Sequence, residues 1–347
     1  MNRFDYICPT SVAEAVSAWA PGSAYLGGGT NLLDLMKIGA MQPQKLIDVK
    51  KLAGLDTIEM LADGGARIGA QVRNSDLAHD SAFAAAFPMV AEAILSGASG
   101  QLRNAATIGG NLMQRTRCAY FQDAAAACNR RNSGSGCDAR DGDNENLAVL
   151  GWSDACIATN PSDFCVPLAA LDAIVEVAGP NGTREIPFAD FHLLPGDTPE
   201  TETALEPGEL VTAVRLPAGA ADFRRNARYL KVRERTSFAF ALVSAAAAFR
   251  FADGKIAAAR LALGAVAAKP WRIAEAEALM VGQAPGSELF ARAASVALEG
   301  ARPSGDNAYK IELARRTAAR ALTMAANGTP TRMPALPASP FGDHAHV

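Results

Sequence analysis

Two motifs, Thr107-Ile108-Gly109-Gly110-Asn111-Leu112 and Thr159-Asn160-Pro161-Ser162-Asp163, enclose a polar segment that carries Cys118, Cys128, Cys137 and Cys156. The first motif has a forerunner upstream, Leu26-Gly27-Gly28-Gly29-Thr30-Asn31-Leu32, where a short strand turns through three glycines into a helical turn. Glycine accepts a positive φ and lets main-chain N–H groups approach an anion with no Cβ in the way. One such turn would serve equally as a plain tight turn. Two separated turns could hold a diphosphate from two sides through main-chain donors.

Working outward, Val12, Ala15, Val16 and Trp19 recur at helical spacing, with Thr10 or Ser11 as N-cap and Glu14 completing a capping box. Residues 24–26 and 45–49 read as strands and 32–37 as a helical turn, giving a β-α-β-like module with the glycine turn at its functional end. Downstream, 66–70 is a strand, Arg73-Asn74-Ser75-Asp76 leads into a helix, and 87–96 is an amphipathic helix. Near the C-terminus, 228–232, 239–251 and 255–266 read as three strands, with Asp253-Gly254 as a hairpin signal. Residues 274–281, 288–299 and 308–326 read as helices.

A chain of 347 residues, 49% apolar, has room for two or three domains with real cores. Its 33 basic and 36 acidic residues leave no electrostatic footprint for nucleic acid, and no basic amphipathic stretch suggests a membrane surface. No apolar run approaches the roughly 18 residues of a spanning helix. The N-terminus lacks a secretory layout and a twin-arginine pair. With four histidines, two of them in a Pro-rich tail, a His-rich metal site or a Ser–His pair has little to draw on. The dinucleotide, P-loop and nucleophile-elbow glycine motifs are all missing from the sequence.

The two glycine motifs, together with Ser153-Asp154-Ala155-Cys156-Ile157-Ala158-Thr159, Pro161-Ser162-Asp163, Leu205-Glu206-Pro207-Gly208-Glu209 and Tyr229-Leu230-Lys231-Val232-Arg233, resemble the FAD-binding medium subunit of the molybdenum hydroxylases. That family includes xanthine dehydrogenase, carbon monoxide dehydrogenase and bacterial aldehyde oxidoreductases. The likeness runs to about Ala325, and the cysteine-bearing insert is most similar to that of bacterial periplasmic aldehyde oxidoreductase FAD subunits.

The resemblance implies an α+β fold: a two-lobed FAD-binding domain of the vanillyl-alcohol-oxidase (PCMH) type, then a C-terminal domain of a three-stranded sheet and helices. The lobes are placed at 1–54 and 55–222, with an iron–sulfur loop at 113–158, the C-terminal domain at 223–327 and an extended tail at 328–347. It implies FAD contacts from Leu26, Gly27, Gly28, Gly29, Thr30, Asn31, Leu32 and Leu33, from Thr107, Ile108, Gly109, Gly110 and Asn111, and from Asp163 and Lys231. Read alone, Asp163 would suit an N-cap or turn and Lys231 an exposed strand position. The loop His192-Leu193-Leu194-Pro195-Gly196 is a candidate for the flavin ring, and no catalytic acid or base is assigned.

Cys118, Cys128, Cys137 and Cys156 are separated by nine, eight and eighteen residues in a loop too polar and glycine-rich to form a core alone. Four thiolates can hold a [4Fe–4S] cluster, and the resemblance implies one in this subgroup. Structural zinc, two disulfides and unligated thiols are the competing readings, although zinc usually takes a close pair of cysteines, which is absent. Cys165 and Cys8 are expected in the core. Arg115, Arg117, Arg130 and Arg131 either favour the reduced cluster or form a solvated basic face, and none is singled out.

The implied role is an electron-transfer subunit of a heterotrimeric aldehyde oxidoreductase. The molybdopterin cofactor would sit on a large partner subunit and two [2Fe–2S] clusters on a small one, with an external electron acceptor and neither nucleic acid nor membrane insertion. A subunit like those of 4-hydroxybenzoyl-CoA reductase or xanthine dehydrogenase, a stand-alone flavin oxidoreductase and a non-catalytic scaffold are the alternatives. The chain would be cytoplasmic, or periplasmic if carried on a partner's twin-arginine signal.

Overall fold

Short parallel strands need crossover helices, and the first fifty residues supply them. The computed structural model describes residues 1–331. β1 (Asp5–Ile7), β2 (Ser23–Leu26) and β3 (Lys45–Asp48) form a parallel sheet in the order β1-β3-β2. The helix Val12–Ser17 crosses between β1 and β2, and Ser11 caps it by accepting from the Glu14 N–H at 3.1 Å. The Glu14 carboxylate reaches back one residue further than in a standard capping box, accepting from the Thr10 N–H at 2.7 Å. The central strand is buried at Leu46 and Ile47, as expected for a strand covered on both faces.

The second sheet is antiparallel. β4 (Ile58–Met60), β5 (Ala66–Gly69), β6 (Ile174–Gly179), β7 (Gly182–Pro187) and β8 (Leu210–Leu216) lie in the order β4-β5-β8-β6-β7. Ile68, Val175, Val177, Val214 and Leu216 share one core with Val90 and Ile94 of the helix Pro88–Ser96 and Leu168 of the helix Cys165–Ala170.

The third sheet contains β9 (Ala227–Val232), β10 (Val243–Ala252) and β11 (Lys255–Gly264), in the order β11-β10-β9. Asp253 and Gly254 both take positive φ, 51° and 74°, the backbone of the tight hairpin turn that their sequence signalled. β10 is a wall between two cores. Ala246 and Ala248 face the core of the second sheet, while Ala245, Ala247 and Phe249 pack with the helices Ser287–Ala297 and Tyr309–Ala326. A strand buried on both faces explains an unbroken apolar run where an antiparallel strand normally alternates.

Several expectations shift. β10 begins at Val243 rather than 239, because 239–242 belong to a loop that carries the exposed Phe240. The second glycine motif is not an open turn but a short helix, Ile108–Leu112, whose cap Thr107 accepts from the Gly110 N–H at 3.2 Å. The strands β6 to β8 and the helix Ser81–Ala86 were not anticipated. Residues 332–347, most of the expected extended tail, lie outside the described residues. No helix among the described residues is long and apolar enough to cross a membrane.

Candidate functional site

The two glycine segments, about eighty residues apart in sequence, meet backbone to backbone. A Cβ on Gly28 would overlap the carbonyl oxygen of Ala105, and one on Gly27 would come to 2.9 Å from the Thr107 Oγ1. A Cβ on Gly109 would press on Ala70 at 3.0 Å, and the Gly109 N–H already donates to the Ala70 carbonyl at 2.7 Å. Gly29 has a φ of +77°, which starts the turn into the helix Leu32–Lys37. Among the described residues, no protein group accepts from the N–H groups of Gly28, Gly29 or Thr30.

A cleft opens on either side of this junction. One part, about 400 Å³, is lined by Tyr25, Gly27 to Asn31, Gln71, Gly109, His192 and Val211. The other, about 580 Å³, is lined by Ile94, Leu102, Arg103, Asp163, Lys231 and Phe240. Thr30, Asn31, Gly110, Gln114 and Pro161 belong to both, so the glycine segments form the waist of one elongated cleft. Its size suits a dinucleotide-sized ligand.

Four buried polar atoms on its walls have no protein partner: Gln71 Oε1 and His192 Nδ1 in the first part, Asn74 Oδ1 and Arg103 Nε in the second. A buried polar atom left unpaired costs about 1–3 kcal/mol, so four along one cleft indicate a polar ligand. His192 Nε2 lies 3.0 Å from the Leu112 carbonyl and therefore carries the proton, leaving Nδ1 as an acceptor. Burial pulls its pKa down to about 4. The residues present therefore fit FAD: main-chain donors at the waist, and hydrogen-bonding side chains on both sides.

The expected contact residues divide. Gly27, Gly28, Gly29, Thr30, Asn31, Leu32, Thr107, Gly109, Gly110 and Asn111 line the cleft, as do Asp163 and Lys231. Leu26, Leu33 and Ile108 instead pack in apolar clusters. Asn31 Oδ1 accepts from the Arg115 N–H at 2.9 Å, and Asn111 Oδ1 accepts from Ser162 Oγ at 2.8 Å, so both side chains brace the site. Lys231 is not an exposed strand lysine. Its Nζ lies 2.8 Å from Asp163 Oδ2, with only 3% of its side chain exposed, and Tyr229 Oη donates to Asp163 Oδ1 at 2.6 Å. Asp163 is not the cap of the helix Cys165–Ala170, which starts at Phe164 without a side-chain cap; the Cys165 N–H donates to Ser162 Oγ at 3.2 Å.

Cys118, Cys128, Cys137 and Cys156 converge on one small cavity together with Phe121, Ala139, Ile157 and Arg130. The loop does not fold alone: it shares an apolar cluster with Leu35 and Ala40, which follow the first glycine segment. None of the six cysteines is in a disulfide. Among the described residues no three His, Cys, Asp or Glu side chains are gathered tightly enough for a single metal ion. Four thiols lining one cavity supply the number and kind of donors that an iron–sulfur cluster takes. Burial pushes the Cys118 thiol up to about 11, and an iron cluster would supply the positive charge that holds it as thiolate.

One side-chain expectation is overturned here and one open choice is narrowed. Arg130 is buried, with Nε 3.4 Å from Cys156 Sγ and Nη1 2.9 Å from Glu202. Thus one of the four arginines faces the cysteine cavity instead of solvent. Cys8 is exposed rather than in the core, whereas Cys165 is fully buried as expected. Gln71 and Asn74 escaped the sequence reading because nothing local marks a buried, unpaired side chain.

A family model described as the FAD binding domain in molybdopterin dehydrogenase matches residues 2–219, and one for the CO dehydrogenase flavoprotein C-terminal domain matches 228–325. The aldehyde oxidoreductase FAD-binding subunit PaoB of Escherichia coli (strain K12) is 48% identical over 330 residues, covering 94% of this chain and 99% of that one. The carbon monoxide dehydrogenase medium chain of Hydrogenophaga pseudoflava is 28% identical, covering 93% and 97%. Among solved structures, the carbon monoxide dehydrogenase of that organism, in a form lacking the Mo-pyranopterin moiety of the molybdenum cofactor, is similar with a TM-score of 0.73 at 28% identity, over 94% of this chain and 98% of that one.

Proposed function

The chain belongs to the FAD-binding family of molybdopterin dehydrogenases, and on that premise we propose that it is the FAD-binding electron-transfer subunit of a heterotrimeric, molybdenum-dependent aldehyde oxidoreductase. The cleft carries this reading: two glycine segments meet at its waist, and unpaired buried polar atoms stand on both of its sides. The role calls for a large partner subunit with the molybdenum cofactor and a small one with two [2Fe–2S] clusters. This chain takes electrons from the small subunit and passes them to an external acceptor. The 48% identity to an aldehyde oxidoreductase subunit supports an aldehyde as the substrate of the assembly.

Bound FAD supplies the exchange between two-electron and one-electron carriers. The protein's part is to bind and orient it. The N–H groups of Gly28, Gly29 and Thr30 would take the diphosphate, while Gly109 and Gly110, whose own N–H groups are held by Ala70 and Thr107, wall the cleft from the other side without a Cβ in the way. Leu26, Leu33 and Ile108 hold these segments from behind through their cores. Asp163 and Lys231, locked as a buried pair, would serve the flavin end; His192, from the loop first considered for the flavin ring, lies in the other part of the cleft, where its Nδ1 would accept a hydrogen bond. Residues 1–54 and 55–222 would act as the two FAD lobes and 223–327 as the C-terminal domain.

Cys118, Cys128, Cys137 and Cys156 would hold a [4Fe–4S] cluster, supported by their convergence on one cavity. The test of both cofactor sites is FAD, iron and acid-labile sulfide per chain, measured on anaerobically purified protein without partners. One FAD with about four irons and four sulfides is expected. FAD without iron or sulfide would retain the flavoprotein and remove the cluster, and neither cofactor in folded protein would remove the reading altogether.

A further inference from the structure

We propose that Arg130 sets the reduction potential of the cluster and that Glu202 is the positioning residue that holds Arg130 against it. This rests on the cluster reading of the four cysteines given above.

Four arginines surround the cysteine loop, and their side chains have different tasks. Arg131 donates to the carbonyls of Tyr120, Phe121 and Ala126 and so ties the loop to itself. Arg117 stacks over Phe240, 4.8 Å from the ring centroid, and donates to the Arg115 carbonyl. Arg115 donates from Nε to Glu202 Oε1 at 2.6 Å and from Nη2 to the Arg130 carbonyl at 3.2 Å. Among the described residues, only Arg130 directs a guanidinium N–H at a cysteine sulfur, Cys156 Sγ at 3.4 Å.

The Arg130 side chain is only 5% exposed, in the wall between the cysteine cavity and the cleft. A buried guanidinium needs a counter-charge, and Glu202 supplies it at 2.9 Å. Glu202 also accepts from Arg115, so this trio of side chains carries a net positive charge. A merely structural tether would not require a cation with one donor turned to a ligand sulfur.

One-electron reduction places one more negative charge on the cluster and its thiolates. A charged donor at a ligand sulfur favours that more negative state, and net charge and hydrogen bonds to sulfur are established determinants of cluster potential. Removing the Arg130 charge therefore lowers the potential. Glu202→Gln removes the negative charge but keeps an amide oxygen to accept from Arg130, so the guanidinium stays in place uncompensated and the potential rises. The two substitutions act in opposite directions, which a general loosening of the loop would not produce.

The experiment uses the full chain, purified anaerobically, with iron and FAD counted in each sample. Each cluster is reduced by one electron from dithionite at controlled potential and followed by electron paramagnetic resonance. Arg130→Gln is expected to lower the midpoint and Glu202→Gln to raise it, at unchanged iron per chain, with Arg130→Lys near the wild type. Full iron with an unchanged midpoint in Arg130→Gln, or shifts of both variants in the same direction, overturns the proposal. If Arg130→Gln loses its iron, Glu202→Gln decides alone: a raised midpoint supports the assignment, and an unchanged or lowered one overturns it. A wild-type chain without iron would instead remove the cluster reading itself, and the assignment with it.

Discussion

His192 shows what a single buried side chain can report. Its ring is packed edge-on against Phe188 and Phe191, its Nε2 proton is held by the Leu112 carbonyl, and burial depresses its pKa to about 4. An unfolded chain would titrate near 6.5. Between these values the unfolded state binds a proton that the folded state does not. Stability is therefore fully present above about pH 6.5, falls as the pH drops, and stops falling from this source below about 4. The whole effect is roughly 3 kcal/mol. His192→Gln, which keeps a donor for the Leu112 carbonyl, should lose less stability than the wild type between pH 6.5 and 4 in urea unfolding; parallel curves would refute the assignment. The histidine was legible in the sequence only as part of a candidate loop, since neither its burial nor its orphaned Nδ1 has a local signature. Lys231 and Asp163 were named in advance, but their pairing depends on β9 lying beside the turn after Asn160. Nothing in either segment announces that contact.

Gly28 belongs to the scale of elements, because the problem it solves is the meeting of two segments rather than a backbone angle. Its φ is not in the left-handed region, yet a Cβ there would overlap the Ala105 carbonyl, which is main chain and cannot rotate away. Gly28→Ala should force the two segments apart, remove most of the bound FAD and cost about 1–3 kcal/mol. Gly100→Ala is the control, since a Cβ there meets nothing within 4 Å. Flavin absorbance per chain and thermal melting read both variants. Full flavin and wild-type melting in Gly28→Ala would show that the close approach is dispensable. The glycine segments themselves were readable because composition marks them strongly. β7 was not, because Gly182, Thr183, Arg184 and Glu185 are exposed on an edge strand with little apolar pattern to detect. β8 escaped for the opposite reason. Leu210, Val211, Ala213 and Val214 make a nearly continuous apolar run, whose periodicity does not separate a buried strand from a buried helix.

At the scale of the whole molecule, the cysteine loop depends on a part of the chain far from it in sequence. Lys310, at the start of the helix Tyr309–Ala326, is 0% exposed and donates to the carbonyls of Asn146 at 2.8 Å, Leu147 at 2.9 Å and Ala265 at 2.9 Å. Asn307 donates to the carbonyls of Leu147 and Ala148, both at 3.1 Å. The Ala148 N–H in turn donates to the Ile157 carbonyl at 2.8 Å, one residue from Cys156. The C-terminal helix therefore holds the inner edge of the loop, and through it the position of one of the four thiols. Lys310→Met would take the ammonium donor from these three carbonyls, of which Leu147 keeps Asn307, at about 1–3 kcal/mol for each one left unpaired that water cannot reach. The loss should appear first where the loop is tethered: iron per chain falls and its release to a chelator speeds up, while FAD per chain stays at the wild-type value because the glycine waist is untouched. Equal loss of both cofactors would mean that the helix stabilises the molecule as a whole. Wild-type iron retention in a destabilised variant would mean that the loop holds its cysteines without this clamp.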